Sequence, residues 1–142
     1  MHDIGLTHVA LQVRDAERST AFYARYAGMQ CVHARTDAAS GQRVRWLSDR
    51  TRPFAVVLIE TPAITTVLAP VAHLGVGCRS RDEVDRLAAE AKAEGLLHSG
   101  PQESGYPVGY WAFLRDPDGH TLELSFGQEI GLTVTENRRP GD

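Results

Sequence analysis

Residues 115–127 read RDPDGHTLELSFG. Asp116-Pro117-Asp118-Gly119 has the composition of a tight turn. It feeds Thr121-Leu122-Glu123-Leu124-Ser125-Phe126, an alternating run that predicts a strand. Leu122, Leu124 and Phe126 share one face of that strand, and Glu123 points the other way. A carboxylate between two leucines has two readings. It is the solvent side of an ordinary alternation, or it is aimed into a cavity. The strand alone does not decide between them, so the rest of the chain has to.

That strand closes the second half of an internal repeat. The first half opens with LTHVALQV, Leu6 to Val13, where Val9, Leu11 and Val13 face one way and His8, Ala10 and Gln12 the other. Asp15 is placed to cap a helix whose apolar stripe is Phe22, Tyr23 and Tyr26, with Gly28 past its end. Three strand-like runs follow, QCVHARTD, QRVRWLSD and PFAVVLIE. The second half opens with VAHLGVGC, Val71 to Cys78, with His73, Gly75 and Gly77 on one face. Ser80 and Glu83 form a capping box for a helix with Val84, Leu87, Ala88 and Ala91 on one side, closed by Gly95. A short strand near Leu96 to His98, then VGYWAFLR and HTLELSFG, complete it. Each half reads β-α-β-β-β, and His8 and His73 align at an offset of 65 residues. The fold class predicted is α+β. Two βαβββ modules, about 4–62 and 70–128, lie in one domain of residues 1–132, followed by a tail at 133–142. They form curved mixed sheets with the helices outside and a cavity inside.

Bulk properties narrow the function classes. A chain of 142 residues, 42% hydrophobic and 23% charged, fits one globular domain. A net charge of -3 with no long basic run argues against nucleic acid as a partner. No apolar run approaches the roughly 20 residues of a membrane span, and Met1-His2-Asp3 lacks the look of a signal peptide. Cys31 and Cys78 lie in strand-like runs and predict buried reduced thiols rather than a disulfide, as in a cytoplasmic protein.

The chemistry collects on the faces turned from the helices. There the first strands carry His8 and His73, and the last strand carries Glu123. Two imidazoles and a carboxylate can occupy one face of a divalent metal and leave positions open for substrate; Fe, Zn, Ni or Mn all suit the set. Gly75 and Gly77 leave room beside His73 for a ligand to approach. A lone strand histidine is usually no ligand. Three donors at corresponding positions favour the metal site.

At these residues the chain resembles the vicinal oxygen chelate superfamily of glyoxalases, bleomycin and fosfomycin resistance proteins and type I extradiol dioxygenases. The matching stretches are THVALQVRDAERSTAFYARYAGM, AHLGVGCRSRDEVDRLAAEAKAEG and YWAFLRDPDGHTLELSFG, within about residues 4–128. The resemblance implies paired βαβββ modules, frequently completed by a homodimer. It also implies a divalent metal whose ligands fall on His8, His73 and Glu123, and a small-molecule substrate with adjacent oxygens. The activity implied is a dioxygenase or a glyoxalase-like lyase or isomerase. The alternative is a binding protein that sequesters an antibiotic-type molecule in the same cleft.

Each named reaction lacks one of its groups. The ungapped equivalent of Glu123 in the first half is Leu58, where glyoxalase-type members place a fourth ligand; the nearest carboxylate is Glu60, a possible catalytic residue. The dioxygenase tyrosine falls on Phe113. The threonine and arginine of fosfomycin transferases fall on Ala10 and Leu132. Trp111 and Phe113 share a face and are candidates to line an apolar substrate pocket. Arg43 and Arg45 are candidates to hold an anionic group. The glycine-rich stretch Ser99 to Gly109 is read as a loop that could close over the cavity with Tyr106. His98 and His120 are read as structural or exposed.

Overall fold

The structure is a computed structural model in which residues 5–131 and residue 134 are described. Leu132 and, apart from residue 134, the expected tail at 133–142 lie outside the described residues. The chain divides into two compact units, Met1–Ala69 with Asp116–His120, and Pro70–Arg115 with Thr121–Asp142. The first holds β1 (His8–Val13), α1 (Ala16–Ala27), β2 (Gln30–Thr36), β3 (Arg43–Ser48) and β4 (Ala55–Glu60). The second holds β5 (Leu74–Gly77), α2 (Arg81–Ala93), β6 (Leu97–Glu103), β7 (Tyr110–Arg115) and β8 (Thr121–Phe126). The predicted βαβββ order is present in both. The sheets are β1-β4-β3-β2 and β5-β8-β7-β6, with β1–β4 and β5–β8 parallel and the other pairs antiparallel. Among the described residues no helix is long and apolar enough to cross a membrane.

Local chemistry explains the helix ends. The Asp15 carboxylate accepts from the N–H groups of Glu17 and Arg18 at 3.0 and 3.1 Å, taking up donors that a helix start leaves without intrahelical partners. Gly28 ends α1 in the left-handed region at φ 63, which a glycine adopts without strain. At α2, Ser80 Oγ accepts from Glu83 N at 3.1 Å. The Glu83 carboxylate accepts from Arg79 N at 2.7 Å, one residue before the position that an ideal capping box uses. Phe22, Tyr23 and Tyr26 of α1 are buried, as are Val84, Leu87, Ala88 and Ala91 of α2.

Three expectations are corrected. β1 and β5 start later than the apolar pattern suggested, so His73 stands just ahead of its strand. β6 runs to Glu103, taking the first half of the expected loop into the sheet. It is an edge strand with register shifts around Ser99, where a proline such as Pro101 can be accommodated because one side needs no ladder partner. Cys31 is exposed rather than buried, because every residue of its edge strand β2 is exposed; both cysteines are free.

Glu60 is turned to the helix side of β4. Its carboxylate accepts from Ala16 N at 2.8 Å, from Arg43 N at 2.9 Å and from Arg43 Nε at 2.8 Å. Burial by itself would raise this carboxyl; the Arg43 guanidinium and the two backbone N–H groups outweigh it and bring the value from 4.5 down to about 2. A lowered folded-state value contributes stability that is present above the unfolded value and lost as pH falls through the folded one. Glu60→Gln is therefore expected to cost about 1–2 kcal/mol at pH 7, after allowance for solvent screening. The difference should shrink between pH 4.5 and pH 2, as read from urea titrations of the variant and its parent.

Tyr23 is wholly buried and donates its hydroxyl to Asp116 Oδ2 at 2.8 Å. The other oxygen of Asp116 accepts from the N–H groups of Asp118 and His120, both at 2.9 Å. Burial raises the Asp116 carboxyl above its ordinary value, and the Tyr23 hydroxyl and these N–H groups pull it part of the way back. His120 is structural, as expected: Nε2–H donates to Gln12 O at 2.7 Å and Nδ1 accepts from Leu68 N at 3.1 Å. Tyr23→Phe strips one partner from a buried carboxylate, at a cost of about 1–3 kcal/mol. A carboxyl whose folded value is raised adds stability at low pH that is lost as pH rises. Removing the hydroxyl raises it further, so the variant should lose more at pH 7 than at pH 4 when melted at both.

Candidate metal centre

The second unit answers the question that Glu123 raised. Its residue is only 7% exposed, so it is not the solvent side of an alternation. Leu122 and Leu124 fill the other face of β8 and are fully buried. In the ladder Glu123 pairs with Gly75 on β5 and with Phe113 on β7. It therefore stands between a strand with no side chain at that position and one with an aromatic ring.

His73 comes to this carboxylate from just before β5. Its Nε2 lies 2.9 Å from Glu123 Oε2, and its Nδ1 lies 2.9 Å from the Val71 carbonyl oxygen. A carbonyl can only accept, so Nδ1 carries a proton and donates it. Gln128 Nε2 donates to the remaining oxygen of Glu123 at 3.3 Å. Added Cβ atoms at Gly75 and Gly77 would meet nothing within 4 Å, so the face beside the pair is open. The His73 and Phe113 rings stand 5.0 Å apart, and Phe113 and Trp111 4.6 Å apart. The His98 and Phe113 rings stand 6.4 Å apart.

His8 belongs to the first unit, at the start of β1, with Nδ1 2.9 Å from Thr7 Oγ1. Among the described residues, no set of three His, Cys, Asp or Glu side chains gathers around one point. The strand register also corrects the sequence alignment of the halves. His8 pairs with Ala55, so Ala10 pairs with Val57 as Gly75 pairs with Glu123. The first-unit equivalent of Glu123 is Val57, not Leu58. Glu60, three residues on, lies on the opposite face, which is why its oxygens meet Ala16 and Arg43 instead.

The remaining candidates divide. Arg45 is spent on the helix side: Nε and Nη2 lie 2.8 and 2.7 Å from Glu17 Oε1. Arg43 is held by Glu60 and Asp15. Neither guanidinium is on the face that carries Val57, because Arg45 pairs with Leu58 on β4. Tyr106 is 70% exposed on the loop between β6 and β7. The Cys78 thiol is pushed up to about 11 by burial and by Glu83, and so is neither a ready ligand nor a nucleophile at neutral pH. Gln128 and the Val71 carbonyl were not anticipated. A backbone acceptor leaves no trace in a sequence, and a glutamine five residues after Glu123 has no motif to mark it.

Comparison with known proteins accords with this fold. The glyoxalase/bleomycin resistance protein/dioxygenase superfamily matches over residues 5–124. An uncharacterized protein of Pseudomonas aeruginosa is 35% identical over 129 residues, covering 89% of this chain and 91% of its own. A variant of the fosfomycin resistance protein FosX from Listeria monocytogenes was solved with Mn(II) and dihydroxypropylphosphonic acid. It superposes with a TM-score of 0.71 at 19% identity over 93% of this chain and 98% of its own. Glyoxalase I of Leishmania major gives 0.68 at 19% identity, with 95% of each chain covered.

Proposed function

Starting from a chain that belongs to the glyoxalase/bleomycin resistance protein/dioxygenase superfamily, we propose that it is a metal-dependent enzyme acting on a small substrate with adjacent oxygens. The observation that carries this is the His73–Glu123 pair. With the Nδ1 proton committed to Val71, Nε2 is the ring nitrogen that faces a carboxylate oxygen, across 2.9 Å. A shared cation satisfies both atoms at that distance, either a proton in an imidazolium–carboxylate pair or a metal ion that both ligate. A metal-bound histidine ordinarily donates its other N–H to a carbonyl or carboxylate, as His73 does. Adjacent ligands of one ion, each about 2.1 Å from it, stand about 3 Å apart when roughly at right angles. The spacing of the pair fits that requirement.

His8 is the third ligand in this reading, on the strength of its repeat position. A divalent ion, of the Fe, Zn, Ni or Mn type, would polarise both substrate oxygens and stabilise charge that develops on them. Around it the chain's own groups have separate tasks. Val71 orients the imidazole, Gln128 holds the second oxygen of Glu123, and Gly75 and Gly77 leave the approach open. Glu60 is assigned no ligand or catalytic role, since its oxygens cap α1 and pair with Arg43. With Val57 in place of a fourth ligand and Phe113 in place of an acid–base tyrosine, the reaction is of the dioxygenase or lyase/isomerase type with another proton-transfer group.

The working unit proposed is a homodimer in which His8 of one copy joins His73 and Glu123 of the other. Metal per chain after dialysis tests the ligands: His8→Ala and His73→Ala should each lose most of it. A parent protein that retains no metal would overturn the reading in favour of a binding protein. Mixing His8→Ala with Glu123→Gln tests the dimer. A shared site should recover metal binding as mixed dimers form, whereas a site built within one chain should recover none.

A further inference from the structure

We propose that the substrate of this site carries a planar aromatic group next to its chelating oxygens, and that Trp111 is the residue that selects it. This rests on the metal-site reading above and goes beyond it by naming the substrate class.

The ladder places Phe113 directly across from Glu123, and Trp111 across from Ser125, two residues further along β8. Both aromatic residues therefore project from the face that carries the carboxylate, spaced by about 6.6 Å along the strand. The rings are in register with the donor imidazole. His73, Phe113 and Trp111 follow one another at centroid distances of 5.0 and 4.6 Å, with tilts of 46° and 45°. A continuous row of π surface thus begins at the histidine and leads away from it.

Trp111 is fixed in that row by its one polar atom. Its indole N–H donates to Ser104 Oγ at 2.9 Å. With that donor used by the protein, the indole has only its ring surface to present to a ligand. Trp111 and Phe113 are only half-buried, although large aromatic side chains gain strongly from burial. On the other side of Glu123 the glycines of β5 leave open space. A ligand whose oxygens lie at the His73–Glu123 pair would extend its carbon skeleton along these rings. A flat aryl group gains offset stacking there in addition to area, which a methyl group cannot.

The test uses two acids with identical vicinal oxygens, mandelate with a phenyl group and lactate with a methyl group. Each is titrated calorimetrically into the full-length metal-loaded protein, with bound metal measured on the same samples. Mandelate should bind about 10-fold or more tighter than lactate. Trp111→Leu, which keeps an apolar side chain but no ring, should bring the two within about 3-fold of each other, chiefly by weakening mandelate, and leave metal content unchanged. Trp111→Phe should restore most of the preference. Equal affinities in the parent, equal weakening of both acids in Trp111→Leu, or no binding of either acid to metal-loaded protein would overturn the aryl inference while leaving the metal site intact. A parent protein without metal would overturn both.

Discussion

Glu123→Gln is expected to lose metal affinity by about 10-fold or more while the fold is retained. The substitution removes the negative charge and keeps the shape. Leu122 and Leu124 are fully buried on the other face and hold the strand in place. An amide oxygen can still accept from Gln128, and an amide N–H₂ can donate to the lone pair of His73. Divalent ions lose about that much affinity when even a partner of a ligand is removed, so loss of an anionic ligand should do no less. Glu60→Gln is the informative companion, with the opposite expected pattern: lower stability near neutral pH and unchanged metal content. The measurements are metal per chain after dialysis and a melting curve for both variants. Unchanged occupancy in Glu123→Gln would sink the proposed ligand set. Loss of metal in both would return Glu60 to the site and move the reaction toward the glyoxalase type.

Gly109→Ala should be the most damaging single methyl group in the second unit. Gly109 has φ +80, where a side chain is strained. An added Cβ would also sit 2.5 Å from the Phe126 carbonyl oxygen and 2.8 Å from the Gly127 carbonyl carbon. Both are backbone atoms, so no side-chain rotation relieves the contact. The cost should be about 3 kcal/mol, or roughly 10 °C in melting temperature for a chain of this size. Gly28→Ala is the control, with φ +63 but nothing within 4 Å of the added carbon, and should cost only about 1 kcal/mol. If the two variants melt together, close approach at Gly109 is not the reason for its glycine. The site should feel the change too. Gly109 O accepts from Ser104 N at 3.0 Å, and Ser104 is the residue that fixes the Trp111 indole.

The fold was legible in the sequence because it rests on local signals that repeat. Asp15, Gly28, Ser80 and Gly95 punctuate the helices where cap chemistry puts them. The alternation in β1 and β8 shows which residues share a face. Strand ends were less legible: nothing in the composition of Leu97–Glu103 shows that an edge position lets a strand run through Gly100 and Pro101. The site divided along the same line. That His73 and Glu123 come together was readable, because face and order are encoded in alternation. The partners of Arg43, Arg45 and Glu60 were not readable, because Glu17, Asp15 and the N–H of Ala16 belong to the start of a helix more than 15 residues away. The one-residue error that pointed to Leu58 instead of Val57 shows the limit of counting. Hairpin lengths differ between the halves, and only the ladder reveals the difference.

The bond between Tyr23 and Asp116 spans 93 residues, and those of Asp118 to Arg14 and of His120 to Gln12 span 104 and 108. On the ribosome, where elongation proceeds at about 5–20 residues per second, the partner of the Tyr23 hydroxyl emerges roughly 5–20 s after the tyrosine. Through that interval α1 can form and cover its sheet, but a buried hydroxyl, the amide of Arg14 and the carbonyl of Gln12 wait for a turn not yet made. The N-terminal half is thus kept short of its final state until residues 116–120 have been made. A transcript cut after the first module would yield a chain with its core assembled and these polar groups among those left unanswered, and a substrate for proteolysis rather than a stable half.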